Sequence, residues 1–534
     1  MNLAEHVLSA GLATPDRLAM SVLGLGRADR WSHARLRQAV LGTATGLLQS
    51  GLAPGDRLLM RLGNNPGFPV AYLGAIAAGI VPVPTSPMLT TPEITRIAAA
   101  IRPAMVIADP DIALPDQPAP VLPAARLGEF ALLPPAGFAQ HDPDDLAYIV
   151  FTSGTSGQPR AVCHAHRAIL ARRMMFDGWY GLTPQDRLLH AGAFNWTFTL
   201  GTGLMDPWTL GATALIPAPG IAPEQIPLIA GRHGATILAA APGVFRRMLR
   251  ADWRPWPGLR HGLTAGERLD PGLRRAWQAR TGTDLHEAMG MSECSTFLSG
   301  SPARPAPEGT AGFPQPGRRI AILDDSGAPT QGPGILAVHR ADPGLFLGYL
   351  DQPEETAARF RGDWFLTGDL AETTPEGAIR LLGRDDDMMN AGGFRVSPGE
   401  VEDALAQIPE IGEIAATELP VGPGSSIIAA FWTGSADEAR LRAAAERGLA
   451  RYKQPREYIH LPALPRTPTG KINRRALRDV HSRAKHDPHP PTQHDTPSRA
   501  QHDTPSRAQH DTPSRAQHDT SSRAQHDTHR KDRT

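Results

Sequence analysis

Cysteine is nearly absent from the sequence. Its two copies, Cys163 and Cys294, lie far apart and match neither a metal-ligand nor a disulfide spacing. A disulfide-stapled secreted scaffold is thereby excluded, and a reducing cytoplasm is the expected setting. Charge of one sign is not in surplus either: 54 Lys+Arg face 54 Asp+Glu, a formal net charge of +0. Nothing in that balance would neutralise a nucleic-acid backbone, so nucleic acid is not an expected partner. Long hydrophobic runs are missing too. The most apolar stretch, Pro69 to Pro84, is short and broken by Gly and Pro, and the N-terminus carries Glu5 without a basic segment. Neither a membrane span nor a secretion signal is expected.

What is present is a globular composition on a long chain. At 534 residues, with 41% hydrophobic and 20% charged, the chain is too long for one core and suggests about three or four folding units. Gly 53 and Pro 52 together predict many turns without reaching a disordered composition.

Helix and strand patterns alternate through the first half. Leu36 to Leu52 is helical in period, Arg57 to Leu62 reads as a strand, and Ala71 to Ala78 reads as a helix. Met105 to Ala108, Ala212 to Ile216 and Thr236 to Ala240 read as further strands. This is the pattern of an α/β domain with largely parallel sheets, whose ligands sit in loops at the carboxyl ends of strands. Between Arg318 and Val338 short strands are separated by turn residues, predicting hairpins and a small β subdomain. After the acidic run Asp385-Asp386-Asp387 come about ninety residues of mixed pattern, the size of a small α+β domain. The expected division is 1–384, 385–480 and a tail over 481–534. That tail is an octapeptide repeat, QHDTPSRA at Gln493, Gln501 and Gln509 with variants at Gln517 and Gln525. It holds no large apolar residue, so it is expected to be disordered, and its regular histidines are read as solvated in preference to metal-binding.

The stretch FTSGTSGQPR, Phe151 to Arg160, organises the rest. Gly154 and Gly157 allow close backbone approach to an anion, Thr152, Ser153, Thr155 and Ser156 add hydroxyls, and Arg160 adds a fixed positive charge. Such a loop suits a polyphosphate, although neither the Walker nor the dinucleotide glycine spacing is present. The competing reading is a flexible Gly/Ser linker. A strand over Leu146 to Val150 and a helix from near His164 are expected to hold it.

Four more stretches carry chemistry. EAMGMSE, Glu287 to Glu293, places Ser292 beside Glu293, suited either to Mg²⁺ near a triphosphate or to a helix cap. WFLTGDL, Trp364 to Leu370, places Asp369 in an expected turn after a strand, where it could accept from ribose hydroxyls. Gly383 to Leu405 joins Arg384, the acidic run and Gly392-Gly393 to an amphipathic helix, and RTPTGKINR sets Lys471 on a turn.

In this order the five stretches resemble the adenylate-forming superfamily from the N-terminus to about Val480. TAGERL, MGMSECSTFLSG and DDMMNAGGFRVSPGEVEDAL look like aryl-CoA ligases of the benzoate type, and LMDPWTLGA is similar to medium-chain acyl-CoA synthetases. The resemblance implies a large ATP- and acid-binding domain under a small mobile lid, using ATP, Mg²⁺ and coenzyme A. It further implies that Thr152, Ser153, Gly154, Thr155, Ser156 and Gly157 bind the β- and γ-phosphates, Ser292 touches the α-phosphate, and Glu293 holds Mg²⁺. Ala265, Gly266 and Glu267 would lie by the adenine, Asp369 and Arg384 by the ribose. Lys471 would bridge the acid and the leaving oxygen, Asp386 would be the hinge, and Gly392 and Gly393 would admit the pantetheine arm. Phe194, Asn195, Trp196, Ala241, Gly290 and Met291 would line the acid pocket.

Two residues depart from the family pattern: Arg160 stands where a lysine is usual, and Met289 where an aromatic is common. His164 and His166 are read as structural, whereas His190 is left open. The rival acceptor is a carrier-protein thiol in trans, and the rival of another class is a non-catalytic nucleotide-binding regulator.

Overall fold

In the computed structural model the residues described are 1–153, 159–384, 389–391, 394–422, 425–467 and 471–486. The centre of the large part is a nine-stranded sheet whose middle strands, Leu18–Leu23, Thr213–Pro217, Arg187–His190, Ile237–Ala239, His261–Ala265 and Leu285–Met291, run parallel in that spatial order. Antiparallel strands close both edges. A second, all-parallel sheet orders Val81–Pro84, Arg57–Arg61, Met105–Ala108 and Val121–Pro123. Its inner strands are buried along most of their length, as sheets covered on both faces require.

Helix boundaries follow local chemistry. The helix His33–Gln49 begins before the expected Leu36 because the Ser32 side chain accepts from Arg35 N at 3.2 Å, and it buries Leu36, Val40 and Leu47. Thr91–Ile101 starts where Glu93 accepts from Thr90 N at 2.8 Å. The expected hairpin after Arg318 is present, with Ile320 opposite Val338 and Leu323 opposite Ile335, and Trp364–Thr373 extends the same antiparallel sheet.

Three expectations are corrected. No helix begins at His164: that residue lies in the strand Pro159–Ala165, and the helix starts at Ala168. The predicted phosphate loop therefore lies between two antiparallel strands, because the buried run Val162 to Ala165 pairs back onto Leu146–Ser153. Asp369 sits inside the strand Trp364–Thr373, not in a turn, beside a register irregularity at Leu370/Ala371. Ser292-Glu293 caps no helix; it occupies the turn between the antiparallel strands Leu285–Met291 and Ser295–Ser299.

The small α+β part pairs Ile411–Gly422 with Ser425–Gly434 antiparallel and the latter with Glu457–His460 parallel. Val401, Leu405, Ile428, Trp432 and Leu441 form its own core. Residues 1–481 make one compact unit, and of 482–534 only the end of the helix Arg474–His486 is described. The repeat tail, the acidic junction with Asp386, Gly392-Gly393 and Gly154 to Gly157 lie outside the described residues. No helix among those described is long and apolar enough to cross a membrane.

Candidate active site

The phosphate hairpin and the Ser292-Glu293 turn meet through three side chains. Thr152 pairs with Arg160 and Ser153 with Pro159 at the mouth of the hairpin. The free edge of that hairpin takes up Gly348–Tyr349, with Tyr349 opposite Val162. From there the Tyr349 hydroxyl donates to Glu293 Oε1 at 2.8 Å. The Arg160 guanidinium lies 5.4 Å from the Tyr349 ring centroid, and its Nη2 is 2.5 Å from Glu355 Oε1. Arg160 thus ties the hairpin to the helix Pro353–Ala358 and to the phenol that holds Glu293.

Ser292 is positioned from the other side. His164 Nε2 lies 2.7 Å from Ser292 O, and because a carbonyl only accepts, Nε2 carries the proton. Burial holds the imidazole down to about 4, so the ring is neutral. Ser295 has φ 59, a left-handed backbone that costs a non-glycine residue of order 1 kcal/mol or more. Arg172 Nη1 donates to its hydroxyl at 2.9 Å and fixes it there. Arg172 is itself spent on buried Asp206, at 2.7 and 2.6 Å.

The predicted adenine residues end the strand His261–Ala265. Gly266 has φ +92, and a Cβ there would stand 2.5 Å from the Trp196 ring, so only glycine lets the acid-pocket tryptophan and the adenine segment touch. Glu267 lies 3.8 Å from Arg466 of the small part. Below this segment Leu269 N donates to Glu287 Oε1 at 2.9 Å. Burial pushes that carboxyl up to about 7, against weaker opposing effects of the Leu269 N–H and Arg274.

Asp369 and Arg384 face each other across paired strands with 3.5 Å between Nη1 and Oδ2. Burial raises the Asp369 carboxyl, opposed by Arg384, by its bond with Thr367 and by the positive charge of Lys471. Lys471 is exposed, yet close enough for its charge to be felt at the ribose candidate.

In the segment predicted to line the acid pocket, Phe194 is buried edge-on to Phe68, 5.7 Å between centroids, and Trp196 stands edge-on to Phe198 at 5.1 Å. Asn64 clamps the segment, accepting from Phe194 N at 2.9 Å and donating to Gly192 O at 2.8 Å. Ala241 caps the helix Pro242–Arg250 beyond the strand Ile237–Ala239. A Cβ on Gly290 would lie 2.4 Å from Ser295 O, so the two strands approach closely there, with half-buried Met291 beside them.

The structure therefore joins Thr152, Arg160, Ser292 and Glu293 in one group, Trp196 and Ala265 to Glu267 in a second, and Asp369, Arg384 and Lys471 in a third. Sequence reasoning missed Tyr349, Glu355, Arg172, Asn64 and Glu287. Glu287 opens a stretch already singled out, whereas the other four lie in no recognisable motif and are brought in only by the packing of strands, helices and loops remote in the chain. Among the described residues no group of three or more His, Cys, Asp or Glu could hold a metal ion. Glu293 is nevertheless buried, with one oxygen engaged by a neutral phenol. That fits Mg²⁺ held by one carboxylate and completed by substrate phosphates and water.

Comparison with known proteins agrees with this arrangement. Residues 9–350 match the AMP-binding enzyme family and 400–471 match the AMP-binding enzyme C-terminal domain. A 3-hydroxybenzoate–CoA ligase of Aromatoleum sp. (strain CIB) is 29% identical over 90% of this chain and 97% of its own length. The human mitochondrial acyl-coenzyme A synthetase ACSM2A is 30% identical over 88% of both chains. The ATP-bound crystal structure of MatB from Rhodopseudomonas palustris superposes with a TM-score of 0.82 at 26% identity, covering 90% of this chain and 99% of that one. The resemblance to aryl-CoA and medium-chain acyl-CoA ligases is borne out, and the chain belongs to the AMP-binding enzyme family, with its adenylate-forming fold.

Proposed function

We propose that this protein is an AMP-forming acid:CoA ligase that activates an aromatic or medium-chain carboxylic acid. The observation that carries the reading is the link from the phosphate hairpin through Arg160 and Tyr349 to buried Glu293, next to Ser292. A polyphosphate cradle and a carboxylate suited to Mg²⁺ are thereby held side by side by groups that have no other evident reason to be joined.

In the first half-reaction an oxygen of the substrate carboxylate attacks the α-phosphorus of ATP. A P–O bond forms, the bond to the bridging oxygen breaks, and pyrophosphate leaves with that electron pair. Thr152 to Gly157 receive the outer phosphates, Ser292 the α-phosphate, and Asp369 with Arg384 the ribose. Lys471 lies between the acid and the leaving oxygen, and a fixed cation there offsets the charge gathering in the transition state. Mg²⁺ bound at Glu293 would supply further charge neutralisation. In the second half-reaction the coenzyme A thiolate attacks the acyl carbonyl and AMP departs. The acceptor is read as coenzyme A in preference to a carrier protein acting in trans.

The large domain is assigned to 1–384 and the lid to 385–480, with Asp386 as the hinge and Gly392-Gly393 as the pantetheine passage. Two cysteines without a pairing partner suit a cytoplasmic protein. Pyrophosphate exchange into ATP, run with benzoate-like acids and C4 to C10 acids, tests the reading. Acid-dependent exchange is expected, and its absence with every acid of the panel would favour a non-catalytic nucleotide-binding regulator.

A further inference from the structure

The turn that carries Lys471 is closed at its neck by two contacts: Arg466 bridges antiparallel to Ile472, and Thr467 N donates to Lys471 O at 2.7 Å. The backbone of Arg466 is thereby fixed relative to that of Lys471. Its guanidinium, in contrast, reaches outside the turn to carboxylates in both parts of the molecule. Nη1 lies 3.8 Å from Glu267 Oε1, in the segment predicted to lie by the adenine, and Nη2 is paired with Glu413 Oε1, on the strand Ile411–Gly422 of the small part. Glu413 Oε1 is in turn 3.9 Å from Arg246 Nη1, on the helix Pro242–Arg250 of the large part.

Along the order Arg246, Glu413, Arg466, Glu267 the four charges alternate in sign, so every neighbouring pair attracts. Their side chains are 23 to 33% exposed, sheltered enough that salt screens them less than freely solvated charges. A lone exposed pair contributes little, whereas charges joined in a network are the exception. Arg466 is the member that meets a carboxylate of each part. Its planar fork offers two separate nitrogens for the purpose, where an ammonium would offer one. In this arrangement the positive charge of Lys471 is felt at Asp369, the ribose candidate. A rotation of the small part that withdrew Lys471 would have to break both Arg466–Glu267 and Glu413–Arg246.

We propose that Arg466 is a positioning residue for acyl-adenylate formation: gripping Glu267 from the neck of the Lys471 turn, with Glu413 and Arg246 as a second tie, it holds Lys471 at the nucleotide site for the first half-reaction and lets go before the second. The proposal rests on the ligase reading. Arg466 acts through Lys471 and touches no substrate in this role. A displacement of about 1 Å in a group that must meet a developing charge can cost about 100-fold in rate. Once the small part has rotated these contacts are gone, so the loss of Arg466 leaves the thioester step alone.

The test follows the two half-reactions separately, with the acid the wild type uses best: acid-dependent pyrophosphate exchange into ATP, and thioester formation from supplied acyl-adenylate and coenzyme A. Arg466→Ala should slow exchange about 10- to 100-fold and change thioester formation by less than about 2-fold. Arg466→Lys keeps the charge but has one nitrogen for two carboxylates; it should slow exchange at least about 3-fold, again in that step alone, and it decides where Arg466→Ala folds poorly. In a Lys471→Ala background Arg466→Ala should add less than about 2-fold to the loss in exchange, because the group to be positioned is no longer there. Wild-type exchange in either folded variant would overturn the proposal while sustaining the ligase reading. So would equal losses in the two half-reactions, or the full loss repeated in the Lys471→Ala background, both marks of a merely structural role. A wild-type enzyme without exchange on any acid is instead a failure of the ligase reading itself and takes this proposal with it.

Discussion

Two buried ion pairs beneath the Ser292-Glu293 turn and the ion pairs that join the large part to the small part are built on opposite principles. Arg318 and Asp342 are both 0% exposed, with Nε 3.0 and 3.1 Å from the two carboxylate oxygens, and Arg318 Nη2 also holds Cys294 O at 2.8 Å, one residue from Glu293. The Arg172–Asp206 pair is 7% and 1% exposed and fixes Ser295. Across to the small part, Arg268 meets Asp403 at 46% and 48% exposure, Arg466 meets Glu267 at 33% and 23%, and Arg246 stands 3.9 Å from Glu413. Buried pairs are costly to break, whereas half-exposed pairs contribute about 0–1 kcal/mol each. The large part is thus a rigid base for Ser292 and Glu293, and the surface that presents Lys471 is held by contacts weak enough to be exchanged. The proposed ligase mechanism, in which one small domain serves two chemical steps, needs that asymmetry.

The comparison breaks at its strongest point if Lys471 is not needed for one step alone. Lys471→Ala should slow acyl-adenylate formation by about 100-fold or more while sparing thioester formation from supplied acyl-adenylate. Equal losses in the two assays would show that the small domain does not divide its labour. Arg318→Met should cost the large part about 3–5 kcal/mol by stranding Asp342, read as a lowered urea midpoint. A variant as stable as the wild type would remove the rigid base from the argument.

Glu287 sharpens the contrast through pH. Its carboxyl titrates near 7 in the folded protein against an ordinary 4.5, so the folded state retains a proton that the unfolded chain has lost. The associated penalty is absent below about pH 4.5, grows as pH rises, and is complete above about 7, reaching at most about 3 kcal/mol for a side chain 13% exposed. Glu287→Gln keeps an acceptor for Leu269 N and should be the more stable protein at pH 8, with a flatter stability profile between pH 4.5 and 7. An unchanged profile would mean that the group does not titrate in this window. The smallest effect belongs to Arg268→Ala, expected to change stability by less than about 1 kcal/mol. A larger change would contradict an exchangeable lid contact.

Much of this was legible in the chain itself. The strand Met105–Ala108 stands where its β-branched and apolar residues put it, and the hairpin after Arg318 follows its turn residues. Asp369 and Arg384, named together from motifs fifteen residues apart, stand opposite each other on paired strands. The errors fell where strand and helix periods conflict over a few residues. Val162 to Ala165 looked like the start of a helix because the helix three residues on shares its apolar bias, and only pairing with Leu146–Ser153 made it a strand. Tyr349 and Glu355 were invisible for another reason: they lie almost two hundred residues from the loop they support, and nothing local distinguishes them from surface residues.

Sequence alone determined the chemistry on offer, because hydroxyl, carboxylate, guanidinium and ammonium groups and the glycines that admit a phosphate are properties of residue type and short spacing. The tertiary structure alone decided which of those groups share a neighbour and which polar atoms are left without one. Hydrogen bonds and burial depend on distance between segments remote in the chain. That is why the phenol on Glu293 emerges only once the sheets are assembled.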